Sequence, residues 1–247
     1  MRYYEGHETV YQRLQDKGCK SWDEYLGQAS GFDAFCMKPF VEEALARSKF
    51  DNERPLALEI GCGTGPICCF LAESGFAVEG IDISDTAIAI AQECAKERGL
   101  SIKYRVADVC QDNLPQKRYD LVVDGHCLHC IVTEQDRLSA IRNVYAAIRP
   151  GGQFWLDTMI AHDATKFGKD TILDEDGILW VKISTSGRFD LEKQIAGVTY
   201  VANRRVYRDP KLLESELLTA GFVISWSNVT APEKDSQSAN YQALCTV

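Results

Sequence analysis

The chain has 247 residues, of which 45% are hydrophobic, and a formal net charge of -9. This length allows one or two domains with a sizeable core, and the sequence has no run of 18 apolar residues that would predict a membrane span. The acidic balance disfavours nucleic acid as a partner, because phosphate backbones attract basic surfaces. The first residues lack the apolar core of a signal peptide, and ten scattered cysteines are typical of reduced thiols. We therefore predict a cytoplasmic protein, whose oligomeric state the sequence leaves open.

Residues 1–50 are rich in aromatic side chains and show no strand alternation, so we predict an N-terminal helical cap there. Residues 51–157 alternate strand-like and helix-like segments, which is typical of a parallel sheet with helices on both faces. We assign residues 51–247 to this second domain. The aromatic cap either covers a substrate pocket or docks on the sheet as packing.

A glycine-rich turn follows the first predicted strand. After Glu59, glycines stand at alternate positions: Gly61, Gly63 and Gly65. Glycine tolerates positive φ and lets a ligand lie against the backbone, and Pro66 is typical of a helix start, where backbone N–H groups are free. Pro66 and Cys68 stand where a dinucleotide fingerprint needs Gly or Ala, and no Gly-Lys-Ser or Gly-Lys-Thr follows. The remaining pattern is acid-x-Gly-x-Gly-x-Gly.

Acidic residues end or follow each of the next three predicted strands. They are Asp82 at the end of residues 77–82, Asp108 after residues 102–106, and Asp124 at the end of residues 119–124. A carboxylate after the second strand can accept two hydrogen bonds from ribose hydroxyls. A turn at residues 149–152 is predicted to precede a fifth strand at residues 154–156.

Beyond residue 157 the regular alternation stops. We predict a small antiparallel insertion over residues 158–208, with strand-like runs at residues 178–183, 197–201 and 204–207. A helix that carries Leu213, Leu217 and Leu218 is predicted to begin at Pro210 and to end at Gly221. Residues 222–229 and 241–247 are predicted to be the last two strands.

Residues 55–157 closely resemble the class I S-adenosylmethionine (SAM) methyltransferases. The shared features are the glycine turn, the acids after strands two and three, Tyr119-Asp120 at the start of strand four, and the Pro-Gly-Gly turn before strand five. The resemblance implies an α/β fold: a doubly wound, Rossmann-like seven-stranded sheet whose last strand is antiparallel, with an N-terminal helical lid and a small antiparallel β insertion. It also implies SAM as cofactor and S-adenosylhomocysteine (SAH) as product.

The resemblance further implies which residues hold the cofactor. Glu59, Gly61, Cys62, Gly63 and Gly65 would shape the methionine pocket. Asp82 would hold the ribose, Ile83 would flank the adenine, and Asp108 with Val109 would recognise it. Asp124 and Gly125, at the end of strand four, complete the predicted cofactor site.

The acceptor side of the site is expected beyond the carboxyl ends of the strands. This directs attention to residues 124–130, where His126 and His129 are candidate catalytic residues, because histidine is the commonest base near neutral pH. The alternative is that these histidines pack against or cap the following helix. Cys127 and Cys130 form one short pair, but a closed zinc site needs four ligands, so we predict no metal.

Two further groups of residues are candidates for contact with the acceptor. Trp155, Asp157 and His162 lie in or after the fifth predicted strand. Arg204, Arg205 and Arg208 either recognise an anionic acceptor or form a solvated face.

The predicted function is SAM-dependent methyl transfer to a small-molecule acceptor. No Asn-Pro-Pro-Tyr or Asp-Pro-Pro-Tyr follows strand four, and that absence, with the acidic charge, favours a small molecule over a nucleic acid. Two alternatives stay open: a non-catalytic SAM-binding regulator, and other SAM chemistry, such as aminopropyl or carboxyl transfer, in the same pocket. The acceptor and the element that is methylated are not indicated.

Overall fold

The structure is a computed structural model that describes residues 1–27, 32–162, 167–230 and 238–247. Eleven strands form two sheets in the described chain. The strands are β1 (Leu56–Ile60), β2 (Ala77–Asp82), β3 (Ile102–Val106), β4 (Tyr119–Gly125), β5 (Ile148–Ile160), β6 (Thr171–Leu173), β7 (Ile178–Lys182), β8 (Glu192–Ile195), β9 (Val198–Arg205), β10 (Val223–Thr230) and β11 (Ala239–Thr246).

The helices of the described residues surround the larger sheet or lie in the N-terminal segment. They are α1 (His7–Asp16), α2 (Trp22–Leu26), α3 (Lys38–Arg47), α4 (Pro66–Glu73), α5 (Asp85–Glu97), α6 (Glu134–Ala147) and α7 (Pro210–Ala220), with short 3₁₀ turns at Tyr3–Gly6 and Leu128–Cys130. No helix in the described part of the chain is both long and apolar enough to cross a membrane.

The larger sheet has seven strands in the order β10-β11-β5-β4-β1-β2-β3. β1 pairs in parallel with β2 and β4, β2 pairs with β3, and β4 pairs with β5. β11 runs antiparallel between β5 and β10. The predicted doubly wound sheet with an antiparallel last strand is confirmed, and its strand order reverses beside β1, where such folds bind ligands.

Both faces of the sheet are buried, as expected for parallel strands covered by helices. Successive strand residues point to opposite faces, so Leu58 and Val122 enter one hydrophobic core, while Ala57, Leu121 and Trp155 enter the other. Trp155 is fully buried and packs beside the Phe50 ring at 6.2 Å. Its predicted contact with the acceptor is therefore wrong.

The N-terminal segment docks beside the carboxyl ends of β1, β2 and β3. Tyr11 and Leu14 of α1 share a hydrophobic cluster with residues of α5. Glu8 accepts hydrogen bonds from the hydroxyls of Ser84 and Thr86 at the start of α5. These contacts fix α1 across the edge of the sheet where a ligand would enter.

The smaller sheet, in the order β6-β7-β9-β8, confirms the predicted antiparallel insertion but corrects its strands. The two runs predicted at residues 197–201 and 204–207 form one strand, β9, which pairs with the unpredicted β8. Ala196 and Gly197 join β8 to β9, and their φ values are +49° and +78°. Positive φ at both central residues is typical of a two-residue hairpin turn.

One smaller prediction also needs correction. Residues 149–152, predicted as a turn before the fifth strand, lie within β5, where Gly151 has a φ of +77° and donates its N–H to the carbonyl of Val247. α7 ends at Gly221 in a left-handed conformation, as predicted, and buries Leu213 and Leu217. Leu218 is exposed, because it lies on the solvent side of that helix.

Candidate functional site

A cleft with about 610 Å³ of empty space opens at the carboxyl ends of the parallel strands. Five chain segments border it. They contribute Tyr4, His7 and Tyr11 from the N-terminal segment; Gly61 after β1; Ile81, Asp82 and Ile83 at β2; Ala107, Asp108, Val109 and Cys110 after β3; and His126, Cys127, Cys130 and Ile131 after β4. The cavity therefore lies where the strand order of the sheet reverses, beside β1, which is the expected ligand site of such folds.

The glycine turn adopts the left-handed backbone that its sequence predicts. The φ values are +58° at Gly61, +53° at Gly63 and +85° at Gly65. A Cβ at Gly61 would lie 2.5 Å from the Cβ of Cys127, and one at Gly63 would lie 2.7 Å from the hydroxyl of Tyr11. Gly61 borders the cleft, whereas Gly63 lies beneath Tyr11 and Gly65 beneath Tyr104. We had expected a ligand against all three glycines, but two of them are covered by tyrosines.

Asp82 is a fixed carboxylate on the wall of the cleft. Its two oxygens accept backbone hydrogen bonds from Gly63 and Ser84, each at 2.9 Å. A carboxylate oxygen can accept more than one hydrogen bond, so the side chain is oriented and still able to bind a ligand. Ile83 follows it on the same wall.

Asp108 faces the cleft from the loop after β3. One oxygen accepts a hydrogen bond from the hydroxyl of Tyr4 at 2.8 Å, and the other accepts the backbone N–H of Cys110 at 2.8 Å. Val109 borders the cleft beside it. Tyr4 of the N-terminal segment thus contacts Asp108, the carboxylate that the family resemblance implies would recognise the adenine.

Three buried carboxyl groups, Glu59, Asp82 and Asp124, surround the glycine turn. None of them forms an ion pair with a residue that the structure describes, and Oε2 of Glu59 has no hydrogen-bond partner among those residues. Burial raises the pKa of Glu59 to about 8 and that of Asp124 to about 7, because removal from water disfavours the charged form. A nearby positive charge would lower these pKa values and favour the charged carboxylates, and SAM carries a sulfonium and an ammonium group.

Several predicted cofactor residues lie behind the cleft wall. Glu59, Cys62 and Gly125 do not border the cavity. Asp124 accepts the backbone N–H groups of Cys127, at 2.7 Å, and Leu128, at 2.9 Å. These residues support the loops that form the wall, and their contact with the cofactor stays a prediction.

His126 borders the cleft and is backed by a buried carboxylate. Its Nε2 lies 3.2 Å from Oδ1 of Asp157, and its backbone N–H donates to the carbonyl of Asp157 at 3.0 Å. Gln242 of β11 donates to the other oxygen of Asp157 at 2.9 Å. Asp157, which we predicted as an acceptor contact, instead orients His126.

His129 occupies a different environment. It is buried, does not border the cleft, and its Nδ1 lies 3.4 Å from both Oγ1 of Thr158 and the backbone N of Met159. Burial holds its pKa well below the usual range. These contacts favour packing over catalysis for His129. His162, another candidate for acceptor contact, is also not on the cleft wall.

His7 and Tyr4 are cleft residues that sequence reasoning did not single out as site residues. His7 is the first residue of α1, and Tyr4 lies in the preceding 3₁₀ turn. Burial, with the charge of Arg204, lowers the pKa of His7. The only signal in the sequence was the aromatic richness of the segment, which does not distinguish a cleft wall from ordinary packing.

Comparison with known proteins identifies the domain that carries this cleft. A family model described as "Methyltransferase domain" matches residues 57–152. Residues 57–152 therefore carry a methyltransferase domain, in agreement with the resemblance to the class I SAM-dependent methyltransferases over this segment. SAM, the cofactor that the resemblance implied, is confirmed with it.

The methyltransferase domain is also similar to a curated protein, the "Ubiquinone biosynthesis O-methyltransferase" of Pseudomonas entomophila (strain L48). The two are 33% identical over 104 residues, which cover 41% of this chain and 43% of that protein. The match thus spans less than half the length of the curated relative.

Two solved structures share the fold of this methyltransferase. An S-adenosylmethionine dependent methyltransferase from Mesorhizobium loti is 22% identical, with a TM-score of 0.60, over 88% of this chain and 100% of that one. One from Clostridium acetobutylicum ATCC 824 is 14% identical, with a TM-score of 0.65, over 96% and 99%. At these identities the similarity establishes the fold alone.

Proposed function

We propose that the protein transfers a methyl group from SAM to a hydroxyl group of a small-molecule acceptor and releases SAH. The observation that carries the proposal is the placement of His126, backed by Asp157, in the same cleft as Gly61, Asp82 and Asp108. The wall that contains Gly61, Asp82 and Asp108 suits a cationic nucleoside, and His126, the proposed base, lies on another wall. The net charge of -9 supports a small molecule over a nucleic acid as acceptor.

The cofactor would be held by residues that the cleft presents in order along the sheet. Gly61 would face its methionine end, Asp82 would accept hydrogen bonds from the ribose hydroxyls, and Asp108 with Val109 would recognise the adenine. The buried carboxyls near the glycine turn favour positive charge. When bound, SAM supplies a methyl group already activated by a positively charged sulfur.

His126 would act as general base toward the acceptor. The carboxylate of Asp157 beside Nε2 keeps a proton on that nitrogen, so Nδ1 is the atom left to accept the hydroxyl proton. Asp157 then stabilises the imidazolium that forms. A base matters most for a hydroxyl, which is a weak nucleophile until its proton is removed, and this supports oxygen as the methylated element.

We place this activity in the cytoplasm. All ten cysteines are free, and cytoplasmic conditions keep thiols reduced. Six of them are buried, where cysteine packs as a small apolar side chain.

The test is a screen of a metabolite extract with methyl-labelled SAM, followed by mass identification of the labelled product. We expect a product that gains one methyl group, formed 10²- to 10⁴-fold more slowly by His126→Gln, roughly the range for loss of a general base, while SAH affinity stays unchanged. His7→Gln is the matched control, because His7 also borders the cleft but forms no ion pair with a carboxylate among the described residues, in contrast to His126 with Asp157.

Each other outcome rejects part of the proposal. An aminopropyl or carboxyl-derived product would replace methyl transfer by other SAM chemistry. SAM binding without any product would indicate a regulator. Full activity of His126→Gln, together with loss of activity in His7→Gln, would assign the role of base to His7, at the start of α1.

A further inference from the structure

Cys127 and Cys130 place two thiols on the wall of the cleft, three positions apart in one short turn. Both residues border the cavity and both are half-buried, so a reagent dissolved in the cleft can reach them. The backbone N–H of Cys130 donates to the carbonyl of Cys127 at 2.8 Å, at the 3₁₀ turn of Leu128–Cys130. Side chains three residues apart in a 3₁₀ turn lie one above the other, so the two thiols are on the same side of the turn.

The backbone of this turn suits a disulfide bridge. A turn closed by a hydrogen bond between its fourth and first residues brings their Cα atoms within about 7 Å, and disulfides usually join Cα atoms about 4.4–6.8 Å apart. The turn is also held from outside: Asp124 accepts the N–H groups of Cys127 and Leu128, and Arg137 donates to the carbonyls of Leu128 and Ile131. A bridge would therefore form by rotation of two side chains with little movement of the backbone.

Other cysteines lack this combination of close spacing and access. Cys62 and Cys68 also lie next to each other, but both are buried and neither borders the cleft. Cys110 borders the cleft, but it belongs to the loop after β3 and not to the turn. Cys127 and Cys130 are neighbours in one turn and can be reached from the cleft.

Cys130 is the better nucleophile of the pair. Burial raises the pKa of its thiol to about 11, although a hydrogen bond with the guanidinium of Arg204 opposes that increase. Burial raises the pKa of Cys127 well above the usual range, and the charge of Asp124 adds to the increase. The thiolate is the form that attacks a disulfide, so we expect Cys130 to react first, and slowly near neutral pH.

We propose that Cys127 and Cys130 form a reversible disulfide by exchange with a low-molecular-weight disulfide, and that this bridge weakens binding of the cofactor. The Cys130 thiolate attacks one sulfur of the reagent, which forms a mixed disulfide and releases one thiolate. The Cys127 thiolate then attacks the sulfur of Cys130 and releases the second. The protein dithiol thus loses two electrons and two protons, and the reagent gains them as two thiols.

Cys127 links the bridge to the glycine turn. A Cβ at Gly61 would lie 2.6 Å from Sγ of Cys127, so this thiol packs against the backbone that is proposed to face the methionine end of the cofactor. The bridge would turn that sulfur toward Cys130, whose own Sγ lies 3.9 Å from the carbonyl oxygen of His126. The wall beside Gly61 would change, and we expect weaker cofactor binding. This effect rests on the proposed function, whereas formation of the bridge does not.

The first test treats the ligand-free protein with oxidised glutathione and locates the product by peptide mass mapping. We expect a bridge between Cys127 and Cys130 that dithiothreitol reverses. Cys127→Ser should instead retain glutathione as a mixed disulfide on Cys130, because the second thiol is missing, and Cys130→Ser should prevent the bridge. Cys36→Ser is the control, because it removes an exposed thiol that does not border the cleft, and it should leave the bridge unchanged.

The second test measures SAH affinity of the reduced and the oxidised wild type by calorimetry. We expect oxidation to weaken binding by about 5- to 150-fold, the usual range of coupling between two sites. Linkage requires the same factor in the reverse direction, so SAH must shift the equilibrium of the pair toward the dithiol. Each tenfold in that equilibrium corresponds to about 30 mV in reduction potential, which a glutathione redox titration with and without SAH measures.

Three results would overturn the inference: no bridge, a bridge between another pair such as Cys110 and Cys127, or a bridge between Cys127 and Cys130 that leaves SAH affinity unchanged. Failure of the reduced protein to bind SAH is a separate result. It would reject the proposed function together with the effect on cofactor binding, and the mass mapping would still decide whether the bridge forms.

Discussion

Glu59 offers a quantitative test of the buried acidic environment beside the glycine turn. Burial raises its pKa from 4.5 to about 8, so the folded protein keeps a proton there at a pH at which the unfolded chain has lost it. The folded state therefore binds more protons between those values, and the free energy of unfolding must fall as pH rises through that window.

The size of the effect follows from the two pKa values. Each factor of ten in a proton equilibrium is worth about 1.4 kcal/mol, so the interval from 4.5 to about 8 corresponds to at most about 5 kcal/mol. Glu59→Gln keeps the shape of the side chain and cannot ionise. Between pH 5 and pH 8, the free energy of unfolding of Glu59→Gln should fall by several kcal/mol less than that of the wild type.

The measurement is urea unfolding of the ligand-free protein at several pH values between 5 and 8. Glu53→Gln is the control, because it removes the same formal charge from an exposed position. Asp124, whose pKa burial raises to about 7, adds its own pH dependence equally to all three proteins. Equal pH dependence in the wild type and Glu59→Gln would refute the assignment of a protonated, buried Glu59.

Two further variants test the wall of the cleft. Asp82→Ala should weaken SAH binding by more than ~1 kcal/mol, the scale of a lost charge-assisted hydrogen-bond pair, and unchanged calorimetric affinity would reject its role in holding the ribose. Arg137 donates to the carbonyls of Leu128 and Ile131 while paired with Glu216, so Arg137→Met should lower the free energy of unfolding by about 1–3 kcal/mol for each carbonyl that loses its buried donor. Glu216 is partly exposed and keeps the hydrogen bond from Tyr207, so Arg137→Met combined with Glu216→Met should recover only a small part of that loss in thermal unfolding; full recovery would contradict an origin in the carbonyls.

The central part of the fold could be predicted from the sequence because each element there is buried and sharply bounded. The predicted strand at residues 77–82 coincides with β2, and the strand predicted at residues 119–124 lies within β4, which extends one residue further. Apolar runs between glycine and acidic residues leave few alternatives when both faces of a sheet are covered. The glycine turn was equally clear, since positive φ at three alternate positions requires glycine.

The smaller sheet was harder to predict, because its strands are short and largely exposed. β8 has no fully buried residue, so its sequence, Glu-Lys-Gln-Ile, lacks the apolar alternation on which strand prediction depends. The two runs predicted in this region leave a gap at Ala202 and Asn203, which lie inside β9. The polar Asn203 interrupted the apolar pattern, and one strand was predicted as two. Partial exposure of the sheet removes the periodic signal.

The site shows the same division between local and long-range information. Asp82 and Asp108 could be placed at the cleft because they follow parallel strands, whose ends meet at one edge. The pairing of His126 with Asp157 depends on the register of β4 with β5, in which Gly125 lies opposite Asp157. No local pattern specifies that register. Asp157 was therefore predicted to contact the acceptor, and its pairing with His126 was missed.

The segment that matches the methyltransferase family model holds the residues proposed to bind the cofactor but only part of the cleft. The match covers residues 57–152, which include Gly61, Asp82 and Asp108 but not His7 or Asp157. Residues that hold a common cofactor are shared by enzymes with different acceptors, because the second pocket is built separately on the scaffold. Variants in the motifs therefore test whether SAM binds, and a choice among acceptors must be tested at cleft residues outside the match, such as His7.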